Sequence, residues 1–237
     1  MESLINDEPG RSHVPTGQEG LHPDLEALVL RHLNHEDRTP IPEHTLAGYV
    51  QLKALLQAEP RPLVLDSGCG NGSGTAALAR SHPDAWVLGV DRSSQRLRKG
   101  PAREGLRQGL VKQDNLLLLR ADLPSVWRLL AQDNHRLQAH FFMYPNPYPK
   151  RRQVMRRWHA HPAFRCLWAL GGQIELRTNW PVYAEEMAQA LRIASAHTER
   201  SYEVQLDEWA PTTPQTKFEA KYVASGHRLY RVLATPT

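Results

Sequence analysis

The chain has 237 residues, 41% of them hydrophobic, with two cysteines and a formal net charge of +4. That length carries one α/β domain with a full core plus an extension, while no apolar run approaches the ~20 residues of a membrane span and the polar N-terminus has no apolar signal core. Two thiols make no disulfide framework, so a reducing, cytoplasmic setting is expected, and the surplus of cations matters through its clustering rather than its sum.

In chain order, residues 1–20 show no apolar periodicity and are expected to form a flexible arm. Residues 21–60 predict a helical extension of two helices. One spans His22–Leu33 with Asp24 as cap, and the other Glu43–Ala58, stopped by Pro60 and Pro62. Residues 61–237 form the main domain. Leu63–Leu65 reads as a strand, followed by Asp66, glycines at 68, 70, 72 and 74, and a helix over Thr75–Arg80. A second strand, Trp86–Val90, closes on Asp91. Ser93–Gln108 reads as a basic helix interrupted at Gly100-Pro101, Leu116–Asp122 as a strand and Leu123–Ala131 as a helix. Gln138–Tyr144 is the next strand, and residues 151–170 are helical with a kink at Pro162. Gln173–Thr178 (strand), Tyr183–Ala196 (helix) and Tyr202–Leu206 (strand) follow. Late strands at Lys221–Val223 and Arg228–Leu233 flank Gly226. Strands alternating with helices predict a seven-stranded, mostly parallel sheet with helices on both faces.

The glycine turn carries the first chemical signal. Glycine permits positive φ and close backbone approach, and the first-turn N–H groups of the helix face the gap. The dinucleotide pattern G-x-G-x-x-G fails, because its third glycine would fall at Ser73. The spacing of Asp66, Gly68, Gly70 and Gly72 instead resembles motif I of the class I S-adenosylmethionine-dependent methyltransferases, and implies a Rossmann-like fold of that class. A carboxylate at Asp66 suits an amino-bearing ligand and repels a phosphate. Asp91 is positioned to accept from the ribose hydroxyls of an adenosine. The structural alternative for Asp66 and Asp91 is helix capping or turn formation. Asp66, Asp91, Asp122 and Asn146 all close strands, where open α/β sheets bind ligands.

A second set of residues follows the fourth strand. Asn146-Pro147-Tyr148-Pro149-Lys150-Arg151-Arg152 joins a rigid amide-bearing turn to cations, and Lys150, Arg151, Arg152, Arg156 and Arg157 form a basic cluster suited to a polyanion. Together with Thr178-Asn179-Trp180-Pro181-Val182-Tyr183 and Thr216-Lys217-Phe218-Glu219, these stretches resemble the bacterial tRNA (guanine-N7)-methyltransferase family over about Leu63 to Leu233. In that family the fourth strand ends P-D-P-W-x-K, the fifth ends T-D-x-x-x-Y, and a late loop carries T-x-F-E.

The resemblance implies methyl transfer from S-adenosylmethionine to N7 of a variable-loop guanosine in tRNA. Asp66, Gly68, Gly70, Gly72, Asp91, Asp122 and Asn146 become cofactor positions. Asn146 is also the catalytic position, and Lys150, Asn179, Thr216, Lys217, Phe218 and Glu219 are substrate positions. Arg151, Arg152, Arg156 and Arg157 become a phosphate patch. Both family aspartates are asparagine here, at 146 and 179. Guanine N7 carries a lone pair and no proton, so the reaction needs alignment and stabilisation of positive charge rather than a general base. Glu219 remains as a carboxylate able to read guanine. A methyltransferase of another base or of a small molecule, and a non-catalytic binding paralogue, stay open as alternatives. His159, His161 and Cys166 match no standard zinc spacing, so no metal is expected, and a monomer is expected.

Overall fold

The two leading apolar runs form parallel neighbours, β1 (Leu63–Ser67) and β2 (Trp86–Asp91), each buried at every position. Runs without polar alternation mark strands covered on both faces, and their side chains divide accordingly. Leu63, Leu65, Trp86, Leu88 and Val90 enter a larger core, while Val64 and Val87 enter a smaller one on the opposite face.

The computed structural model describes residues 18–100 and 109–237. It adds β3 (Leu110–Gln113), β4 (Leu116–Arg120), β5 (Leu137–Met143), β6 (Gln173–Thr178), β7 (Tyr202–Glu208) and β8 (Tyr230–Pro236) to the pair. The strand order is β3-β4-β2-β1-β5-β6-β8-β7. Every pairing is parallel except β3 with β4 and β8 with β6 and β7. Chain direction across the sheet reverses at β1, which lies between β2 and β5, so a crevice opens above its carboxyl end.

Helices α1 (Leu25–Asn34), α2 (Glu43–Ala58), α5 (Leu123–Gln132), α6 (Phe164–Leu170) and α7 (Pro181–Ala196) fill the larger core, and α3 (Ser73–Ser81) and α4 (Ser94–Leu97) the smaller. A further helix, α8 (Lys217–Ala224), buries only Glu219. No helix among the described residues is long and apolar enough to cross a membrane.

Several expectations are corrected. Among the described residues the sheet has eight strands, not seven: β3 folds back on β4 through Asp114, whose φ of 51° makes the tight turn. Lys221–Val223 is not a strand but part of α8, because the Thr216 hydroxyl accepts from Glu219 N at 3.0 Å and starts a helix there. Residues 151–170 are not one helix; two 3-10 turns, Arg151–Arg156 and Trp158–Ala160, precede α6, with Pro162 disfavouring helix in the residue before it. Asp24 stands at the start of α1 without a side-chain cap. The expected helix over Ser93–Gln108 is observed only as α4, and its 101–108 portion, like residues 1–17 of the expected arm, lies outside the described residues.

Candidate active site

Five parallel strands, β4, β2, β1, β5 and β6, end on one edge, and the glycine turn lies at its centre. Gly68, Gly70 and Gly72 have φ of 80°, 62° and 79°, a region that disfavours a Cβ. A Cβ on Gly68 or Gly70 would meet nothing within 4 Å, whereas one on Gly72 would sit 2.9 Å from Leu118. The turn is thus open above and closed below. Gly68 N and Cys69 N donate to Val90 O, tying the turn to β2.

Asp66 is 1% exposed. Its Oδ2 accepts from the Thr75 hydroxyl at 2.7 Å, and its Oδ1 is buried with no partner in the chain. Burial pushes its pKa up to about 6, opposed by the Thr75 bond and reinforced by Asp91. Asp91 accepts from Ser93 N (2.7 Å) on one oxygen, and from Gly70 N (3.0 Å) and Arg96 (3.3 Å) on the other. Asp122 caps α5, accepting from Ser125 N at 3.1 Å and its hydroxyl at 2.6 Å. Capping is therefore a role Asp122 fills, while Asp66 keeps a carboxylate oxygen facing no donor.

Beyond β5 the chain turns through two left-handed residues, Tyr144 (φ 56°) and Tyr148 (φ 47°). Each is disfavoured by about 1–2 kcal/mol, so surrounding bonds must hold them. Tyr144 N donates to Arg177 O (2.8 Å) and its hydroxyl to Glu219 (2.9 Å). Tyr148 N donates to the Asn146 side chain at 3.3 Å, closing an Asx turn on the exposed Asn146. The Tyr148 carbonyl accepts from Arg157.

Lys150, Arg151, Arg152 and Arg156 are exposed beside this turn, with Arg156 5.8 Å from the Tyr148 ring centre. Arg157 is not part of that patch. It is fully buried and ion-paired with Glu186, and it lies over the Trp180 ring. Arg157 is an extended residue (φ −82°, ψ 140°) between the two 3-10 turns, and this break in the helical path sends it inward.

The late loop meets the glycine turn: a Cβ on Gly74 would lie 3.0 Å from the Thr216 methyl. Lys217 and Phe218 are exposed. Glu219 is fully buried, accepting from Tyr144, Arg177 (3.3 Å) and Trp209 Nε1 (3.0 Å) on one oxygen and Gln215 N (2.7 Å) on the other. Both oxygens are thus engaged within the protein. Asn179 bonds His227 Nδ1 at 3.1 Å.

Residues 60–232 match a family model described as "Putative methyltransferase". The tRNA (guanine-N(7)-)-methyltransferase of Neisseria meningitidis serogroup A is 30% identical over 178 residues, covering 72% of this chain and 70% of that one. That of Thiobacillus denitrificans is 30% identical over 180 residues, covering 73% and 74%. The chain belongs to the tRNA (guanine-N7)-methyltransferase family.

Among solved structures, the 16S rRNA methyltransferase KamB aligns with this methyltransferase at a TM-score of 0.55 and 17% identity, covering 78% of this chain and 92% of that one. A 16S rRNA (adenine(1408)-N(1))-methyltransferase variant from Catenulisporales acidiphilia, solved with S-adenosylmethionine, gives 0.52 and 16%, covering 79% and 90%. These likenesses establish the fold, the Rossmann-like class I arrangement.

The cofactor of this methyltransferase is S-adenosylmethionine, and the residues present fit it. The unpartnered Asp66 oxygen suits an ammonium, and the open space over Gly68 and Gly70 admits a ligand against the backbone. Among the described residues no group of three or more His, Cys, Asp or Glu side chains is arranged to hold a metal ion. His159, one of the histidines weighed as a ligand, instead donates to Glu186 at 2.8 Å.

Sequence reasoning missed Thr75, Arg177, Trp209 and Glu186. Arg177 had a visible signal, since Glu175 and Arg177 alternate with Ile174 and Leu176 in a strand read as part of the sheet, where buried charges require pairing. Trp209 had none: its indole is held between Arg177 and Arg231, each 4.5 Å from the ring centre, and Arg231 is distant in sequence from both.

Proposed function

We propose that this methyltransferase transfers a methyl group to N7 of a variable-loop guanosine in tRNA. The observation that carries the reading is the meeting of an unpartnered, buried Asp66 oxygen and an open glycine turn with an exposed cationic ledge at the same edge of the sheet. S-adenosylmethionine supplies an electrophilic methyl on a sulfonium. Asp66 holds the amino end of the donor, the Gly68–Gly72 backbone admits it, and Asp91 accepts from its ribose. Asp122 fixes the start of α5 along the crevice wall. Asn146, whose amide oxygen accepts from Tyr148 N, aligns the purine and offers that oxygen's remaining lone pair to the positive charge that develops on it. Lys150, Arg151, Arg152 and Arg156 hold backbone phosphates, while Thr216, Lys217, Phe218 and Asn179 frame the base. Glu219 acts from beneath, fixing the Thr216 loop and Tyr144.

The test is methyl transfer from labelled S-adenosylmethionine to bulk tRNA, followed by nucleoside analysis. The expected product is 7-methylguanosine; its absence at high enzyme concentration overturns the reading. In the same assay Asn146→Asp keeps an acceptor for Tyr148 N and adds a charge opposite the developing cation. A charge-assisted contact is stronger by about 1.5 kcal/mol, so kcat/KM is expected to rise about tenfold.

The ledge makes a separate prediction. Each cation on a phosphate contributes about −0.7 to −0.9 to the slope of log affinity against log salt. Replacing Arg151 and Arg152 together by alanine is expected to flatten that slope by about 1.5, read by filter binding across a salt series. Arg157→Lys leaves the slope unchanged, because Arg157 is buried.

A further inference from the structure

Glu186, on α7, is fully buried and accepts from two directions. One oxygen takes the Gln18 amide at 2.7 Å and His22 N at 2.9 Å. The other takes the Arg157 guanidinium and His159 Nε2. Burial depresses the His159 pKa and keeps the ring neutral, so Nε2 carries the donated proton and Arg157 supplies the balancing charge. Its Nδ1 then faces no partner, and neither does Gln18 Oε1. This cluster keeps two buried polar atoms unsatisfied while holding four donors on one carboxylate, an arrangement poor for stability alone.

What the cluster does is set by the other side of Arg157. Its Nε and second amino group both donate to the Tyr148 carbonyl, at 3.3 and 3.0 Å, and its plane rests 4.8 Å from the Trp180 ring centre. Tyr148 is left-handed and closes the Asx turn on Asn146, so a two-donor grip on its carbonyl fixes the orientation of that turn. A lysine ammonium cannot provide two donors in one plane while also meeting Glu186.

We propose that Arg157 is a positioning residue for methyl transfer, orienting the Asn146–Tyr148 turn, and that Glu186 couples this orientation to the seating of the Gln18–His22 segment. The catalytic turn is fixed only when a segment over 120 residues away in sequence is docked on the same carboxylate. The proposal rests on the function proposed above for the site, and concerns how its geometry is held.

The experiment uses the full chain as Arg157→Lys and Gln18→Ala, the second removing one donor from Glu186 at the margin of the cluster. Three readouts are taken: hydrogen exchange of peptides over residues 144–150 and over β1–β2, calorimetric affinity for S-adenosylmethionine, and kcat and KM on tRNA. The expected result is faster exchange at 144–150 in both variants with β1–β2 unchanged, donor affinity within twofold of wild type, and kcat lowered at least tenfold in Arg157→Lys and about threefold in Gln18→Ala. Unchanged exchange at 144–150 in both overturns the proposal. So does faster exchange without a fall in kcat, or a uniform rise in exchange with donor affinity falling in step, which marks a merely structural role. A wild type that methylates no tRNA refutes the function proposed above, and the exchange comparison then decides the coupling by itself.

Discussion

Asp66→Asn is expected to raise the melting temperature while weakening S-adenosylmethionine binding ten- to hundredfold. The carboxyl is buried with one oxygen unpartnered, and folding lifts its pKa from 3.8 to about 6. The folded state therefore binds the proton more tightly than the unfolded chain. The resulting penalty is complete above pH 6, roughly 3 kcal/mol, and vanishes as the pH falls below about 4. An amide removes the charge but leaves an NH2 group in the unpartnered position, so a gain of ~1–2 kcal/mol remains, or several degrees by calorimetry. Binding moves oppositely, because an ammonium loses a charge-assisted contact of about 1.5–3 kcal/mol. In the wild type, donor affinity is expected to fall as the pH drops from 7 to 5, with proton release on binding near pH 6. Asp66→Asn flattens both dependences. A variant that binds the donor as tightly as wild type removes Asp66 from the site.

Glu219→Ala is expected to destabilise the protein by about 3–5 kcal/mol, a fall of roughly 10 °C or more, and to abolish tRNA methylation. Its four partners explain the size: Tyr144, Arg177, Trp209 and the Gln215 amide all point at one buried carboxylate. Removing it leaves buried donors unpaired and an arginine without part of its charge balance. Donor binding is expected to persist in the folded fraction, since Asp66 and the glycine turn lie on other strands. Were Glu219 instead the group that reads guanine, Glu219→Gln and Glu219→Ala would keep the wild-type melting temperature and raise only KM for tRNA. Thermal unfolding beside steady-state kinetics separates the two.

The succession of parallel strands along the chain was legible because each announces itself by an apolar run ending in a polar residue. Asp66, Asp91, Asp122 and Asn146 land on one edge for that reason. What the sequence conceals is which of those groups is already engaged. Asp122 and Glu219 look alike as acids in a motif, yet one caps a helix and the other is enclosed by donors from three separate segments. Arg157 looks like its neighbour Arg156, and only the local backbone separates a buried ion pair from an exposed cation. β3 went unnoticed because four residues carry too little periodicity, although Asp114-Asn115 marked its turn. The Thr216–Glu219 capping pair was likewise visible, but Tyr222 and Val223 favoured a strand locally.

The position of β8 decides what braces the substrate side of the site. It inserts between β6 and β7, and brings Arg231 against Trp209. The donor crevice, built from β1, β2 and β4, precedes β8 by more than 100 residues in the chain. β8 pairs with β6, the strand that carries Arg177 to Glu219, so the support under the Thr216 loop and Tyr144 depends on it. The donor side and the substrate side of the site thus rest on different stretches of chain, and loss of β8 would release Arg177 and Trp209 without touching a direct partner of Asp66.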